Sequence, residues 1–244
     1  TIIYLLKKIC CISNRNKKIE EGIKKMKQYW EVIKNSRLFL GIKEEEIEAV
    51  LECLSAEVRF YQKGEFIFQI GESISEVALL LEGSVSIQKE DYWGNLSILN
   101  EISKGEIFGE TYAVLENDII INNVLAVTNC KVLFFPFFHI FKICSSPCNF
   151  YIQLIQNFLA VIAFKNKMLA QKLEHLSQRT TREKLLSYLS EQSVKAGSSS
   201  FTIPFNRQQL ADFLSVDRSA MSNELSKMKQ EGKIDFYRSY FILK

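Results

Sequence analysis

The stretch Asn206–Phe241, NRQQLADFLSVDRSAMSNELSKMKQEGKIDFYRSYF, decides how this chain is interpreted. Its first part, Asn206–Leu214, predicts a short helix, and Asp217–Glu231 predicts a second helix. Only Ser215–Val216 separates the two. Helices joined by so short a turn form a helix-turn-helix, whose second helix can enter the major groove of DNA.

The second predicted helix has one apolar face and one polar face. Asp217 is a favourable N-cap, and Gly232 is a favourable residue just beyond the C-terminal end. Apolar residues recur at i, i+4 and i+7, which is typical of a buried face and comprises Met221, Leu225 and Met228. The opposite face then carries short polar side chains and one arginine, so it is suited to reading base edges.

We expect this polar face to contact DNA. Arg218 would read a guanine edge, whereas Ser219 and Asn223 would tune the preferred sequence. The full set of predicted contacts to bases and phosphates is Gln208, Arg218, Ser219, Ser222, Asn223, Lys227 and Lys229. The alternative is an ordinary solvated helix face; the preceding helix and turn favour the DNA interpretation.

Short strands are expected on both sides of the helix-turn-helix. Phe201–Pro204 precedes it, and Ile234–Tyr237 and Tyr240–Leu243 follow it around the turn Arg238–Ser239. A further helix is predicted over Glu183–Gln192. Together these elements predict a winged helix-turn-helix.

The residues between 148 and 176 have a heptad pattern. One set, seven apart, is Ile152, Leu159, Asn166 and Leu173; the other is Cys148, Ile155, Ile162, Leu169 and Leu176. Interleaved steps of four and three predict a coiled-coil seam, and we expect a parallel homodimer in which Asn166 pairs with its mate to fix the register. The predicted interface is Ile152, Ile155, Leu159, Ile162, Asn166, Leu169, Leu173 and Leu176. The alternative is that this helix packs on its own β-domain.

Residues 58–135 predict β-structure in the form of a sandwich, a barrel or a jelly roll. Alternating segments are interrupted by turn signals at glycines 64, 71, 83, 94, 105 and 109. Tyr92–Asn95 is expected to form a hairpin turn. An amphipathic helix, Lys43–Leu54, precedes the roll and would bury Ile47, Val50, Leu51 and Leu54.

The fold class is therefore α+β, with four segments. These are a basic tail (1–27), a β-roll sensing domain (28–145), a long dimerisation helix (146–178) and a winged helix-turn-helix (179–244), with a hinge near Arg179. Residues 180–244 carry 10 Lys/Arg against 7 Asp/Glu, whereas residues 28–179 carry 13 against 19. A basic DNA-binding end joined to an acidic sensor suits this division.

The composition of 244 residues, 47% hydrophobic, allows two domains with proper cores. No run of 18 apolar residues is present, so no membrane span is expected. The apolar stretch Ile2–Leu6 is too short for a signal-peptide core, so the six cysteines are expected to be reduced and the protein cytoplasmic.

The order of roll, long helix and winged helix resembles the Crp/Fnr family of bacterial transcription regulators. In the roll, the resemblance rests on Tyr61–Glu72, Leu79–Val85 and Gly105–Glu110, the last matching the start of the family's phosphate-binding cassette. In the winged helix it rests on Gln209–Leu214 and Asp217–Leu225. The resemblance implies double-stranded DNA with an inverted-repeat operator, a second copy of the chain and RNA polymerase as partners.

Two departures from the family pattern affect its implications. Cyclic-nucleotide binders of the family place an Arg-Ser pair after the Gly-Glu; the same spacing here reaches Ile120 and Ile121, which cannot neutralise a buried phosphate. In the recognition helix only Arg218 of the frequent Arg, Glu and Arg set is kept, since Ser219 and Asn223 replace the other two. This departure predicts a different half-site.

We therefore expect no cofactor, no cyclic AMP binding and an unidentified small effector, hydrophobic or aromatic, or none at all. The effector pocket is predicted at Gly109, Glu110, Thr111, Ile120, Ile121, Met168 and Leu169. The alternative is that apolar residues simply fill the former pocket.

Other classes of protein are disfavoured. Metal-dependent enzymes with a similar roll need clustered histidines, and this chain has only His139 and His175, so no metal site and no enzyme is expected. Cys10, Cys11 and Cys53 lack the spacing of an iron–sulfur sensor. The remaining alternative is a dimeric sensor whose winged helix binds protein rather than DNA.

Overall fold

The computed structural model describes residues 26–90, 92–93, 96–115, 118–136 and 149–244. Contacts divide the chain into two compact units, with the boundary between Val161 and Ile162. Both units combine helices with antiparallel strands, which confirms the α+β class. The predicted tail up to residue 25, three residues around the predicted hairpin turn (91, 94 and 95), His139 and Cys148 lie outside the described residues.

The first unit begins with helical segments. A 3₁₀ turn, Lys27–Tyr29, leads into α1, Trp30–Asn35, and α2 follows at Glu44–Cys53. Three glutamates occupy the first turn of α2, where the helix dipole favours negative charge. As predicted, the apolar face of α2 is fully buried, and it comprises Ile47, Val50, Leu51 and Leu54.

Among the described residues, eight strands form the predicted β-roll. They are β1 Glu57–Tyr61, β2 Phe66–Phe68, β3 Glu76–Glu82, β4 Val85–Glu90, β5 Leu96–Ile102, β6 Ile107–Phe108, β7 Asn123–Ala126 and β8 Cys130–Pro136. A short helix, α3 at Glu110–Val114, lies between β6 and β7. Two antiparallel four-stranded sheets result, in the orders β1-β8-β3-β6 and β2-β7-β4-β5.

Strand β3 is buried on both of its faces. Ala78 and Leu80 point into the core between the two sheets, where Phe134 of β8 also lies. The intervening residue Leu79 is equally buried, so the outer face of this sheet is covered as well. The turn after α1 contributes to this cover, since the ring of Phe39 lies 6.5 Å from that of Phe135.

The long helix α4, Asn149–Leu176, uses two different faces. One face packs within the first unit through Tyr151, Leu154, Phe158 and Val161. Asn157 lies on this face, and its Nδ2 donates to the carbonyl oxygens of two residues after α1, Leu38 at 3.0 Å and Leu40 at 2.8 Å. Packing within the first unit therefore occurs, and its fully buried residues lie outside the predicted seam.

The seam residues remain open to solvent or only half buried. Ile152, Leu159 and Asn166 are exposed, and Leu169 and Leu173 are 66% and 67% exposed. The half-buried members are Ile155, Ile162 and Leu176. Because the seam turns away from the face packed within the first unit, it is available to a partner.

The second unit contains the predicted winged helix. Its elements are α5 Thr181–Ala196, β9 Ser200–Thr202, α6 Arg207–Leu214, α7 Arg218–Gln230, β10 Ile234–Tyr237 and β11 Tyr240–Leu243. The sheet order is β10-β11-β9. Helix α5 is longer than the predicted Glu183–Gln192, because Thr180 caps its start and Gly197, in the left-handed region, ends it.

His175, near the end of α4, forms hydrogen bonds with α5. This side chain is buried; its Nδ1 lies 2.8 Å from Ser187 Oγ and its Nε2 lies 2.6 Å from Glu191 Oε2. The ring also contacts Tyr188 edge-on and Phe213 of α6. His175 therefore has a structural role that joins three helices of the second unit.

Candidate nucleic-acid interface

Helix α6 begins at a capping box that the local sequence supplies. Asn206 Oδ1 accepts a hydrogen bond from the Gln209 N–H at 3.0 Å, and Gln209 Oε1 accepts one from the Asn206 N–H at 2.9 Å. The inward face of the helix is fully buried and comprises Leu210, Ala211 and Leu214. The start and the rotation of the helix are thus both set by residues within this short segment.

The turn between α6 and α7 carries a non-glycine residue in the left-handed region. Ser215 has φ of 50° and ψ of 58°, and the N–H of Val216 donates to the carbonyl of Ala211 at 3.0 Å. From α5, Lys184 Nζ donates to the carbonyls of Leu214 at 3.1 Å and Ser215 at 3.5 Å. A cation therefore satisfies carbonyls at the negative end of α6 and helps to hold the turn.

Helix α7 presents the polar face that the sequence predicts. Asp217 Oδ1 accepts a hydrogen bond from the Ala220 N–H at 2.7 Å, which caps the helix start. The apolar residues at i, i+4 and i+7 are buried, namely Met221, Leu225 and Met228. Arg218, Ser219 and Asn223 are exposed on the other side, so the geometry allows all three to reach a ligand.

Three of the other predicted contact residues already have partners within the protein. Ser222 is half-buried, and its hydroxyl donates to the Arg218 carbonyl at 2.9 Å. Gln208 Nε2 donates to Asp212 Oδ1 at 2.8 Å, and Lys229 pairs with Asp235 Oδ1 at 2.5 Å. These groups must share or exchange their partners to bind DNA, whereas Lys227 is simply exposed.

The tip of the wing holds a residue that the sequence reasoning missed. Arg238 has a φ of 54°, in the left-handed region that favours glycine, and its side chain is exposed. Its guanidinium lies 5.4 Å from the ring of Tyr237, which is also exposed. An arginine in a two-residue hairpin turn, where glycine is the usual choice, is the signal that could have identified it.

A second residue missed in the sequence is Ala220, whose exposed side chain follows Ser219 on the first turn of α7. A methyl group at this position suits contact with the methyl group of thymine. The sequence gives no separate signal for this position, because alanine in a helix normally indicates only high helix propensity.

The predicted effector residues of the roll are arranged around the start of α3. Gly109 has a φ of 77°, and a Cβ there would lie 2.9 Å from Phe68 Cε2, so only glycine fits. Glu110 is buried and Thr111 is exposed.

The two isoleucines at the positions of the family's Arg-Ser pair have different environments. Ile120 is 2% exposed and belongs to the core of the roll, whereas Ile121 is 60% exposed. The backbone of Ile120 exchanges hydrogen bonds of 2.9 Å with Gly71 and Glu72, which fixes it in place. Met168 and Leu169, the remaining predicted pocket residues, are exposed on α4 in the second unit.

Metal and haem sites find no support among the described residues. No group of three or more His, Cys, Asp or Glu side chains in that part of the chain could hold a metal ion. Both ring nitrogens of His175 are within hydrogen-bonding distance of protein partners, so neither is open to a haem iron. Among the helices of the same part, none is long and apolar enough to cross a membrane.

Comparison with known proteins matches two domain families to separate parts of the chain. The sequence model of the cyclic nucleotide-binding domain matches residues 58–146, and that of the Crp-like helix-turn-helix domain matches residues 183–244. A curated relative, human cGMP-dependent protein kinase 2, is 29% identical over 103 residues. That match spans 42% of this chain but only 13% of the kinase.

Solved structures share the fold over most of the chain. The catabolite activator protein of Thermus thermophilus has a TM-score of 0.51 and 21% identity, covering 86% of this chain and 94% of its own. CprK in complex with OCPA has a TM-score of 0.56 and 16% identity, covering 91% and 92%. The c-di-GMP-responsive regulator CLP of Xanthomonas campestris has a TM-score of 0.50 and 18% identity, covering 77% and 93%.

A cyclic nucleotide-binding fold followed by a Crp-like helix-turn-helix defines a DNA-binding transcription regulator. The exposed polar face of α7 and the wing are consistent with this class. The chain belongs to the Crp/Fnr family of such regulators.

Replacing Ser215 by glycine should stabilise the turn between α6 and α7. Glycine has no Cβ to strain the left-handed backbone, so we expect a gain of about 0.5–1 kcal/mol after the added chain entropy of the unfolded state is subtracted. Hydrogen–deuterium exchange of the amides in both helices measures the change. The control is Ser226→Gly, the same substitution within α7, which should lower protection by a similar amount. Reduced protection in Ser215→Gly would contradict the strain argument.

Proposed function

We propose that the chain acts as a homodimer that reads an inverted-repeat operator with two copies of α7, under the control of something other than cyclic AMP. The observation that carries the proposal is the division of α7 into a buried apolar face and an exposed face with Arg218, Ser219 and Asn223. In two such copies, related by a two-fold axis, the recognition helices enter major grooves about one helical turn apart.

The exposed seam of α4 supports the homodimer. Leu169 and Leu173 lie one turn apart, and burying each leucine against a partner is worth about 1.5–3 kcal/mol. Asn166, the seam residue that precedes Leu169, is exposed as well. Paired with its mate in a parallel dimer, it fixes the register at some cost in stability.

On the DNA, base reading and backbone binding fall to different residues. Arg218 contacts a guanine edge, and Asn223 contacts a neighbouring base with its amide. Gln208, Lys227 and Lys229 touch phosphates, with Lys229 shared between Asp235 and the backbone of the duplex. RNA polymerase is the further partner that membership of the family implies, and the site of action is the cytoplasm. The chain has no catalytic role in this proposal.

The roll supports control by a ligand without a buried anionic phosphate, or by none. Ile120 fills core space where cyclic-nucleotide binders of the family carry arginine. Residues 58–146 contain a single arginine, Arg59, and this guanidinium forms a two-pronged pair with Glu76 at 2.7 and 3.0 Å. Ile119 and Ile121 are exposed beside the cassette, so a small hydrophobic or aromatic effector is the chemistry that fits.

A winged helix that binds protein rather than DNA is the competing function. Polar recognition faces serve both purposes, but a guanidinium and an amide next to lysines favour a polyanion. Retention on heparin with a steep salt dependence distinguishes the two, because only phosphate-type binding releases many counterions. Salt-independent retention, or none, would favour the protein-binding alternative.

Replacing Arg218 by alanine should weaken specific DNA binding by about 1–3 kcal/mol and relax the preference at one position of each half-site. The operator is first selected from a random pool with the wild-type protein, and binding is then measured by fluorescence anisotropy at fixed salt. Arg179→Ala, which removes an exposed arginine outside the predicted set, should leave base preference unchanged. Unaltered preference in Arg218→Ala would refute the assignment.

Replacing Leu173 by lysine should convert the dimer to a monomer, because the substitution places two ammonium groups within the apolar seam, near the C-terminal end of α4. Sedimentation equilibrium measures the mass directly. Ala160→Lys adds the same charge at an exposed position one residue after Leu159, turned about 100° away from the seam, and should leave the dimer intact. A dimeric Leu173→Lys protein would place the interface elsewhere.

Cyclic AMP should not bind, because no guanidinium stands at position 120 to neutralise its phosphate. Isothermal titration calorimetry is the measurement, with a cyclic-AMP-binding domain of known affinity as positive control. We expect no saturable heat with the full chain. Binding in the micromolar range or tighter would show that another cation occupies the phosphate position.

A further inference from the structure

Arg182 lies in the first turn of α5 and donates hydrogen bonds to two residues of the recognition helix α7 and its C-terminal end. Its Nε donates to Glu224 Oε1, while its two terminal nitrogens donate to the two carboxylate oxygens of Glu231 at 2.7 and 2.9 Å. A planar guanidinium suits this fork, because its donors have fixed directions. Glu224 is largely buried, so the contact is not a loose surface pair.

The two anchor points define an orientation rather than a single distance. Glu224 and Glu231 are seven residues apart, so they lie on one side of α7 and about 10 Å apart along its axis. Glu231 is the C-cap residue of the helix, and Glu224 directly follows Asn223. One side chain therefore restrains both the rotation of α7 and its tilt against α5.

The same contact removes an electrostatic conflict. Glu224 and Glu231 are the acidic residues of α7 and its C-cap, and free carboxylates at this helix would repel phosphates. Arg182, with help from Lys233, lowers the pKa of Glu231 and keeps it ionised and paired at neutral pH. Because these carboxylates are paired, the net charge of the exposed face of α7 is determined by Arg218 and the lysines, and it is positive.

We infer that Arg182 is a positioning residue for base recognition: it does not touch DNA, but it sets the angle at which α7 presents Arg218 and Asn223. This inference rests on DNA binding by α7. It predicts that the discrimination between operator and unrelated DNA depends on the guanidinium of Arg182, which lies 36 residues before Arg218 in the sequence.

The first test is Arg182→Lys in the full chain, with the operator selected by the wild type and a shuffled duplex as probes. Lysine keeps the charge, so affinity for the shuffled duplex should change by less than about twofold. It lacks the planar set of fixed donors with which Arg182 holds both oxygens of Glu231 and also reaches Glu224. The ratio of the two affinities should fall about fivefold or more, as when one base contact is weakened. Arg59→Lys breaks the similar fork to Glu76 in the roll and should leave that ratio unchanged.

Glu231→Gln tests the contact between Arg182 and Glu231 from the other side, because a charge effect and a positioning effect predict different results. Removing a negative charge near DNA should tighten binding to any duplex if only charge matters. Loss of the contact between Arg182 and Glu231 should instead lower the ratio of the affinity for the operator to the affinity for the shuffled duplex. A wild-type ratio in Arg182→Lys, or equal tightening on both duplexes in Glu231→Gln, would overturn the inference. If the wild type selects no operator at all, the DNA-binding assignment fails instead.

Discussion

Burial of one side of α7 is the constraint on which the rest of the DNA-binding unit depends. Met221, Leu225 and Met228 lie in one core with Leu185 and Leu189 of α5, and each such side chain contributes about 1.5–3 kcal/mol. This burial decides which side of α7 faces outward. The core residues set the rotation of α7. The helix caps, the turn at Ser215 and the contacts of Arg182 then refine its position.

The roll separates scaffold from ligand chemistry. Gly109 and the two four-stranded sheets preserve the shape of a cyclic nucleotide-binding domain, whereas Ile120 replaces the charge that such a ligand needs. An apolar side chain is stable in a core without any ligand, but an unpaired arginine there would not be. The fold thus persists while the site changes, and shape alone does not identify what is bound.

Much of the winged helix could be predicted from sequence because its boundaries are encoded locally. Asn206 and Asp217 cap their helices, Gly232 ends the second, and β10 and β11 were predicted with the bounds observed. The Arg182 fork could not be predicted, since it joins residues 42 and 49 positions apart. Nor does periodicity show that Ser222, Gln208 and Lys229 already have partners, because these contacts depend on tertiary packing. The position of the boundary between the two units, within the residues of α4, also depends on packing.

The fastening of His175 to Ser187 and Glu191 has a consequence for the connection between α4 and α5. Bending near Arg179, where the sequence predicts a hinge, would have to break two hydrogen bonds of a buried ring, at about 1–3 kcal/mol for a group left without partners. The two contacts of His175 therefore oppose bending of the chain between α4 and α5.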